Sequence, residues 1–184
     1  MKKHLITSLL YTVITAVVLG LVYPLAVTGI AHLLFRDKAD GQLIRQGDTI
    51  VGSKLIGQPF TGPGYFHSRP SAAGTGYDAA NSSGSNLGPT SAALVTRVQG
   101  AVAAENAKTD VPVDLVTASA SGLDPDITPA AAIYQVPRVA AERHLSEVRV
   151  RELVEKSITP RQLGLLGEPR VNVLALNLAL QQTK

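Results

Sequence analysis

A chain of 184 residues has room for one ordinary domain and an anchor, and not for two independent cores. It has no cysteine, which removes disulfides, thiolate zinc sites and thiol nucleophiles together. Its net charge of +3 is scattered among acids, and no Lys/Arg run interleaves with aromatics, so the pattern speaks against a nucleic-acid surface.

Residues 4–35 contain no Asp, Glu, Lys or Arg. That run exceeds the roughly 20 residues needed to cross about 30 Å of hydrocarbon, so it reads as a transmembrane helix. Lys2, Lys3 and the small residues around Ile30 also suit a signal peptide, but a cleavable apolar region is only about 7 to 15 residues long. The expected organisation is therefore a retained anchor, 1–36, and a soluble domain, 37–184. Lys2 and Lys3 on one flank face Arg36, Lys38 and Arg45 on the other, so the charge rule alone leaves the orientation open. The short basic tail before a long apolar run has the form of a signal anchor, which predicts an inside N-terminus and an exported domain.

Within the anchor Ser8, Thr12, Ala16, Gly20, Pro24 and Thr28 recur every fourth residue. They make a ridge of small or polar positions where another helix can approach closely, and Ala16, Gly20, Pro24 and Thr28 are its packing candidates. Each four-residue step turns about 40° too far on an α-helix, so the ridge winds towards two neighbours rather than one. Pro24 removes the hydrogen bond to the Gly20 carbonyl and is expected to kink the helix.

Beyond the anchor, β-prone residues 42–45 and 49–51 flank Gln46-Gly47-Asp48 and predict a hairpin with a glycine turn. Residues 57–91 are dense in Gly, Pro, Ser and Asn, without helical or alternating periodicity. Phe60, Tyr65, Phe66 and Tyr77 make this an ordered loop rather than a disordered one, folded over its own core or against a partner. A helix is predicted from Pro89, with Leu94, Val95, Val98, Ala101 and Val102 on its buried side, ending near Lys108. A strand is expected over 113–117, followed by turn formers over 119–125. Thr128-Pro129 and Ser146-Glu147 read as starts of two further helices, with Pro137 restarting the chain between them. Over 171–180 periodicity does not separate helix from strand, and Asn172 as a cap favours a helix. The fold class is α+β: one N-terminal transmembrane helix, then one mainly helical soluble domain with a few short strands and a long ordered loop.

Motifs for catalysis are incomplete. Residues 47–54 (GDTIVGSK) invert the Lys-Ser order of a phosphate loop, and in 84–88 (GSNLG) the serine is displaced from the centre of a nucleophile elbow. His4, His32, His67 and His144 show no i, i+4 pairing for a metal, and the Asp124-Pro125-Asp126 run lacks the rest of a calcium loop. A serine hydrolase would have to combine Ser85 with His67 or His144. The sequence therefore predicts no catalytic, cofactor or metal site.

The chain resembles the C subunit of the bacterial Kdp potassium-transporting ATPase in strings spread over nearly its whole length. They are residues 21–29 (LVYPLAVTG), 51–60 (VGSKLIGQPF), 65–72 (YFHSRPSA), 83–90 (SGSNLGPT), 114–125 (DLVTASASGLDP), 135–143 (QVPRVAAER) and 167–180 (GEPRVNVLALNLAL). The resemblance implies a non-catalytic accessory subunit of an ATP-driven potassium uptake complex, single-pass in the bacterial inner (cell) membrane with a periplasmic domain. Its implied partners are a channel-like potassium-binding subunit and a P-type ATPase catalytic subunit. These would handle potassium and ATP, and the subunit itself would bind no cofactor directly. The family is also described as a catalytic chaperone that raises the ATP affinity of the ATPase subunit. Tyr65, Phe66 and Arg69 are the expected partner contacts, because aromatics and arginine are enriched where interfaces gain most of their energy.

Overall fold

A computed structural model describes residues 1–105 and 110–183. The chain forms two compact units, Met1–Ile50 and Val51–Lys184, each described by itself.

The first unit is built on the continuous helix Lys2–Leu34, of 33 residues. Among the described residues it is the one helix long and apolar enough to cross a membrane. It comprises α1 (Lys2–Val17), a widened π turn (Val18–Val22) and α2 (Tyr23–Leu34). Three of its hydroxyls are satisfied internally: Thr7 and Thr12 donate to the Lys3 and Ser8 carbonyls at 2.9 Å, and Ser8 to the Leu5 carbonyl at 3.0 Å. None of the three needs water, as an apolar medium demands. Pro24 is the second residue after the π turn. Proline cannot donate to the Gly20 carbonyl and its ring crowds that turn, and an inserted residue is a usual accommodation. The Tyr23 amide accordingly reaches back five residues to Val18. After Phe35 a short helix, α3 (Arg36–Ala39), leads to Asp40, which pairs with His32 at 3.4 Å and Arg36 at 3.8 Å. The expected hairpin forms from β1 (Leu43–Gln46) and β2 (Thr49–Ser53), with Gly47 at φ +59° in the turn.

The second unit is α+β. Its helices are α4 (Ala92–Ala104), α5 (Val113–Val116), α6 (Pro129–Arg143), α7 (Glu147–Lys156) and α8 (Val173–Gln182). A small antiparallel sheet has β5 (Arg170–Asn172) between β3 (Asp126–Ile127) and β4 (Ile158–Thr159), with Val171 facing both Ile127 and Ile158. The core gathers Val136 and Val139 of α6, Val150 and Val154 of α7, Leu176 and Leu180 of α8, Val171, and Phe66 from the long loop. Each helix presents these at three- or four-residue spacing, so one face is buried.

Three caps read from sequence are in place: Thr128, Ser146 and Asn172 accept the amides of Ala131, Arg149 and Ala175. The 171–180 segment resolves into the end of β5, then α8. Four expectations need correction. Pro137 does not restart the chain; α6 runs through it, with the proline exposed on its outer side. A proline inside a helix costs about 3 kcal/mol. Burial of Val136 and Val139 on the same turns stabilises by about 1.5–3 kcal/mol each, which offsets it. The break lies instead at His144, left-handed at φ 55°, where the Leu145 amide bonds the Ala140 carbonyl. The expected strand over 113–117 is the single helical turn α5, closed by the Thr117 amide and hydroxyl on the Val113 carbonyl. The third correction is that Pro89 lies in a turn and the helix starts at Ala92; its expected end at Lys108 falls outside the described residues. Last, α4 buries none of its residues, and Val95 and Val102 are exposed.

Candidate functional site

The long loop is ordered by side chains that reach it from distant helices. Asn177 of α8 accepts the Phe66 amide and donates to the Phe66 carbonyl, both at 2.9 Å. Gln135 of α6 treats His67 the same way, accepting its amide at 2.7 Å and donating to its carbonyl at 3.1 Å. Each amide side chain acts as a strand neighbour would, pairing donor and acceptor of one residue. Both are almost fully buried, so the pairing also satisfies groups that burial would otherwise leave costly.

Two arginines of α6 extend the grip. Arg138 donates to the carbonyls of Tyr65, at 3.0 Å, and Pro63, and to Gln135 Oε1 at 2.7 Å. Arg143 donates to the Gly64 carbonyl at 2.7 Å, and its guanidinium lies 4.5 Å from the centre of the Tyr65 ring. A Cβ at Gly64 would stand 3.1 Å from Arg143 Nε, so this close approach suits glycine. Every residue from Pro63 to His67 thus has a backbone group held by a side chain of α6 or α8.

The rest of the loop packs on residues 117–124. Ser71 donates to the Gly122 carbonyl at 2.6 Å and accepts the Tyr77 amide at 2.7 Å. Gly122 sits at φ +66°, and a Cβ there would be 2.6 Å from the Ser83 carbonyl oxygen, so backbone meets backbone with no room for a side chain. The Tyr77 hydroxyl donates to the Arg69 carbonyl.

These contacts place the expected partner-contact residues differently. Phe66 is fully buried in the domain's own core, so its ring has no surface to offer a partner. Arg69 turns inward to Asp124 at 3.4 Å and to Thr117 Oγ1 at 3.4 Å, with a quarter of its side chain exposed. Tyr65 is half-buried between Phe60, 5.9 Å away, and Arg143. A side-chain hydrogen bond with Gln181, and then Arg143, hold its hydroxyl below the ordinary range. Ala16, Gly20, Pro24 and Thr28 all lie on the membrane-length helix, where no residue is buried; a Cβ at Gly20 meets nothing within 4 Å.

Phe60, His67, Ser68, Arg69, Tyr77 and Gln135 line an open cleft of about 340 Å³. His67 is half-buried, with Nε2 3.0 Å from the Gly62 carbonyl, and burial lowers its pKa. Among the described residues no three His, Cys, Asp or Glu side chains stand where they could hold a metal ion.

The model of the family described as K+-transporting ATPase, c chain, matches residues 5–182. The chain belongs to the KdpC family. It is 63% identical to the potassium-transporting ATPase KdpC subunit of Acidobacterium capsulatum over 181 residues, covering 98% of each. With the same subunit of Koribacter versatilis it shares 59% identity over 187 residues, covering 100% of this chain and 97% of the relative. The KdpC subunit of Methylobacterium nodulans is 54% identical over 197 residues. KdpC membership makes the chain a subunit of a potassium-transporting ATPase, and its membrane-length helix is consistent with a single-pass protein. Gln135, Arg138, Arg143 and Asn177, which organise the loop, lie in the strings 135–143 and 167–180 but are not among the site residues expected from the sequence. Asn177 had a signal, a polar residue on the same face as Leu176 and Leu180.

Proposed function

We infer that this KdpC-family chain is a non-catalytic accessory subunit that supports assembly and activity of the potassium-transporting ATPase. The observation that carries this is the whole-chain family match on a chain that couples one membrane-length helix to an independently cored domain. In this reading the N-terminus is cytoplasmic in the bacterial inner membrane and the domain is periplasmic. ATP and potassium are bound by a P-type catalytic subunit and a channel-like subunit.

The helix supplies the membrane contact through Ala16, Gly20, Pro24 and Thr28. A turn closed i→i+5 holds more residues than an α turn, so each residue rotates less. The π turn Val18–Val22 therefore reduces the winding of the ridge between Ala16 and Pro24. The domain supplies the second contact through the exposed part of Tyr65 and the rim of the cleft, held rigid by Gln135, Asn177, Arg138 and Arg143. Rigidity favours affinity because little ordering entropy remains to be lost on binding. An effect on the ATP affinity of the catalytic subunit requires two arrangements of the complex that this chain binds unequally.

Affinity purification of the tagged chain from native membranes tests the reading. The other ATPase subunits are expected to follow it in fixed proportion. Recovery of the chain alone from gently solubilised membranes would contradict it.

A further inference from the structure

The connection between β4 and β5 carries three largely exposed leucines: Leu163, Leu165 and Leu166 are 91%, 81% and 60% exposed. No charge lies between Arg161 and Glu168, which pair with each other at 2.5 Å at the base of the loop. The tip closes on itself. The Gln162 and Leu166 amides each donate to the other's carbonyl at 2.9 Å, the Leu165 amide bonds the Gln162 carbonyl, and the Gly164 amide bonds the Arg161 carbonyl. Leu163 stands at φ 53°, a left-handed conformation that glycine or asparagine adopts more easily. A branched apolar residue is thus held in a strained conformation and pointed at solvent, with no packing in its own chain to repay it.

We propose that this leucine tip inserts shallowly into the membrane surface and seats the domain on the bilayer. Three observations favour lipid over a protein pocket. Four amides of the loop, those of Gln162, Gly164, Leu165 and Leu166, bond carbonyls within residues 161–166, which lowers the cost of entering an apolar medium. Its exposed side chains are purely aliphatic and its nearest arginine is paired with Glu168, whereas protein hot spots favour Trp, Tyr and free Arg. Finally, only residues 35–50 separate the membrane-length helix from the second unit. A chain of that length spans at most about 55 Å when fully extended, which tethers the second unit to whatever bilayer holds the helix. The proposal does not depend on which subunits the chain assembles with.

Because the chain has no cysteine, a single one can carry a probe. Leu165→Cys, labelled with an environment-sensitive fluorophore, is placed in the full chain in phosphatidylcholine/phosphatidylglycerol nanodiscs. Val148→Cys on α7, where Val148 is 67% exposed, is the control. The expected result is blue-shifted emission at position 165 that is quenched by lipids brominated in the acyl chain, with water-like, unquenched emission at 148. Water-like emission at 165 overturns the proposal. A blue shift indifferent to brominated lipid also overturns it, and identifies the occupant as protein.

Discussion

Asn177 holds Phe66 from both sides, with its oxygen on the amide and its nitrogen on the carbonyl, each at 2.9 Å, across 111 residues of chain. One side chain thereby fixes the loop and seats the Phe66 ring in the core that also holds Leu176, Leu180 and Val139. Asn177→Leu keeps a similar size but leaves a buried amide and carbonyl unpaired, at about 1–3 kcal/mol each. The full chain in detergent is expected to lose several degrees of melting temperature. Asn177→Asp, which keeps an acceptor but not the donor, still strands the Phe66 carbonyl and should also melt early. Melting curves equal to wild type for both would show that the clamp is dispensable.

Tyr65 and Phe66 should separate contact from core. Phe66→Ala empties a fully buried site and should cost about 3–5 kcal/mol of domain stability. Tyr65→Ala removes a partly exposed ring and a stacked Arg143, worth about 1 kcal/mol to the domain. If Tyr65 anchors a partner, the same change should cost about 2 kcal/mol or more in binding, roughly thirtyfold in affinity. Subunit recovery at dilute concentration, measured beside the melting curve, decides between the two roles. A melting loss with unchanged recovery would make Tyr65 a core residue.

Gly20→Leu adds bulk where the helix itself has space, since a Cβ there meets nothing within 4 Å. Insertion should be unaffected because the span remains apolar, while recovery of the assembled complex falls; Ala16→Leu should act in the same direction and less strongly. Wild-type recovery for Gly20→Leu would show that this face meets lipid.

Acid should weaken the loop through His67. Burial, more than the neighbouring Arg138, pushes its pKa below the ordinary 6.5, while Glu105 and the Gly62 carbonyl act in the opposite direction. The unfolded chain therefore takes up this proton first as pH falls. The contribution of His67 is fully present above about 6.5 and is lost progressively as pH falls from there through the lower folded value. Melting at pH 7.5 and 5.5 should show a larger drop for wild type than for His67→Gln. Equal drops would assign the acid sensitivity to other groups.

What the sequence made legible was local. The caps at Thr128, Ser146 and Asn172 act on amides three residues away, and a helix of membrane-crossing length is a matter of length and charge. The errors arose where distant packing outweighed local preference. Pro137 is tolerated because the opposite face of α6 is buried, and α5 is too short to display any period. The clamp was illegible for a related reason: Gln135 and Asn177 satisfy backbone groups 68 and 111 residues away. An aromatic in a loop rich in Gly and Pro is equally compatible with core and interface, so Phe66, expected as a partner contact, belongs instead to the core.

The central claim is that this chain performs no hydrolysis itself and sustains the ATPase of its complex. It is tested by potassium-stimulated ATP turnover of the purified complex with and without the chain, beside the purified chain alone. The chain alone is predicted to show no turnover, and its omission to lower the stimulated rate, with recovery when full-length chain is added back. Turnover by the chain alone, or an unchanged stimulated rate without it, would contradict the account.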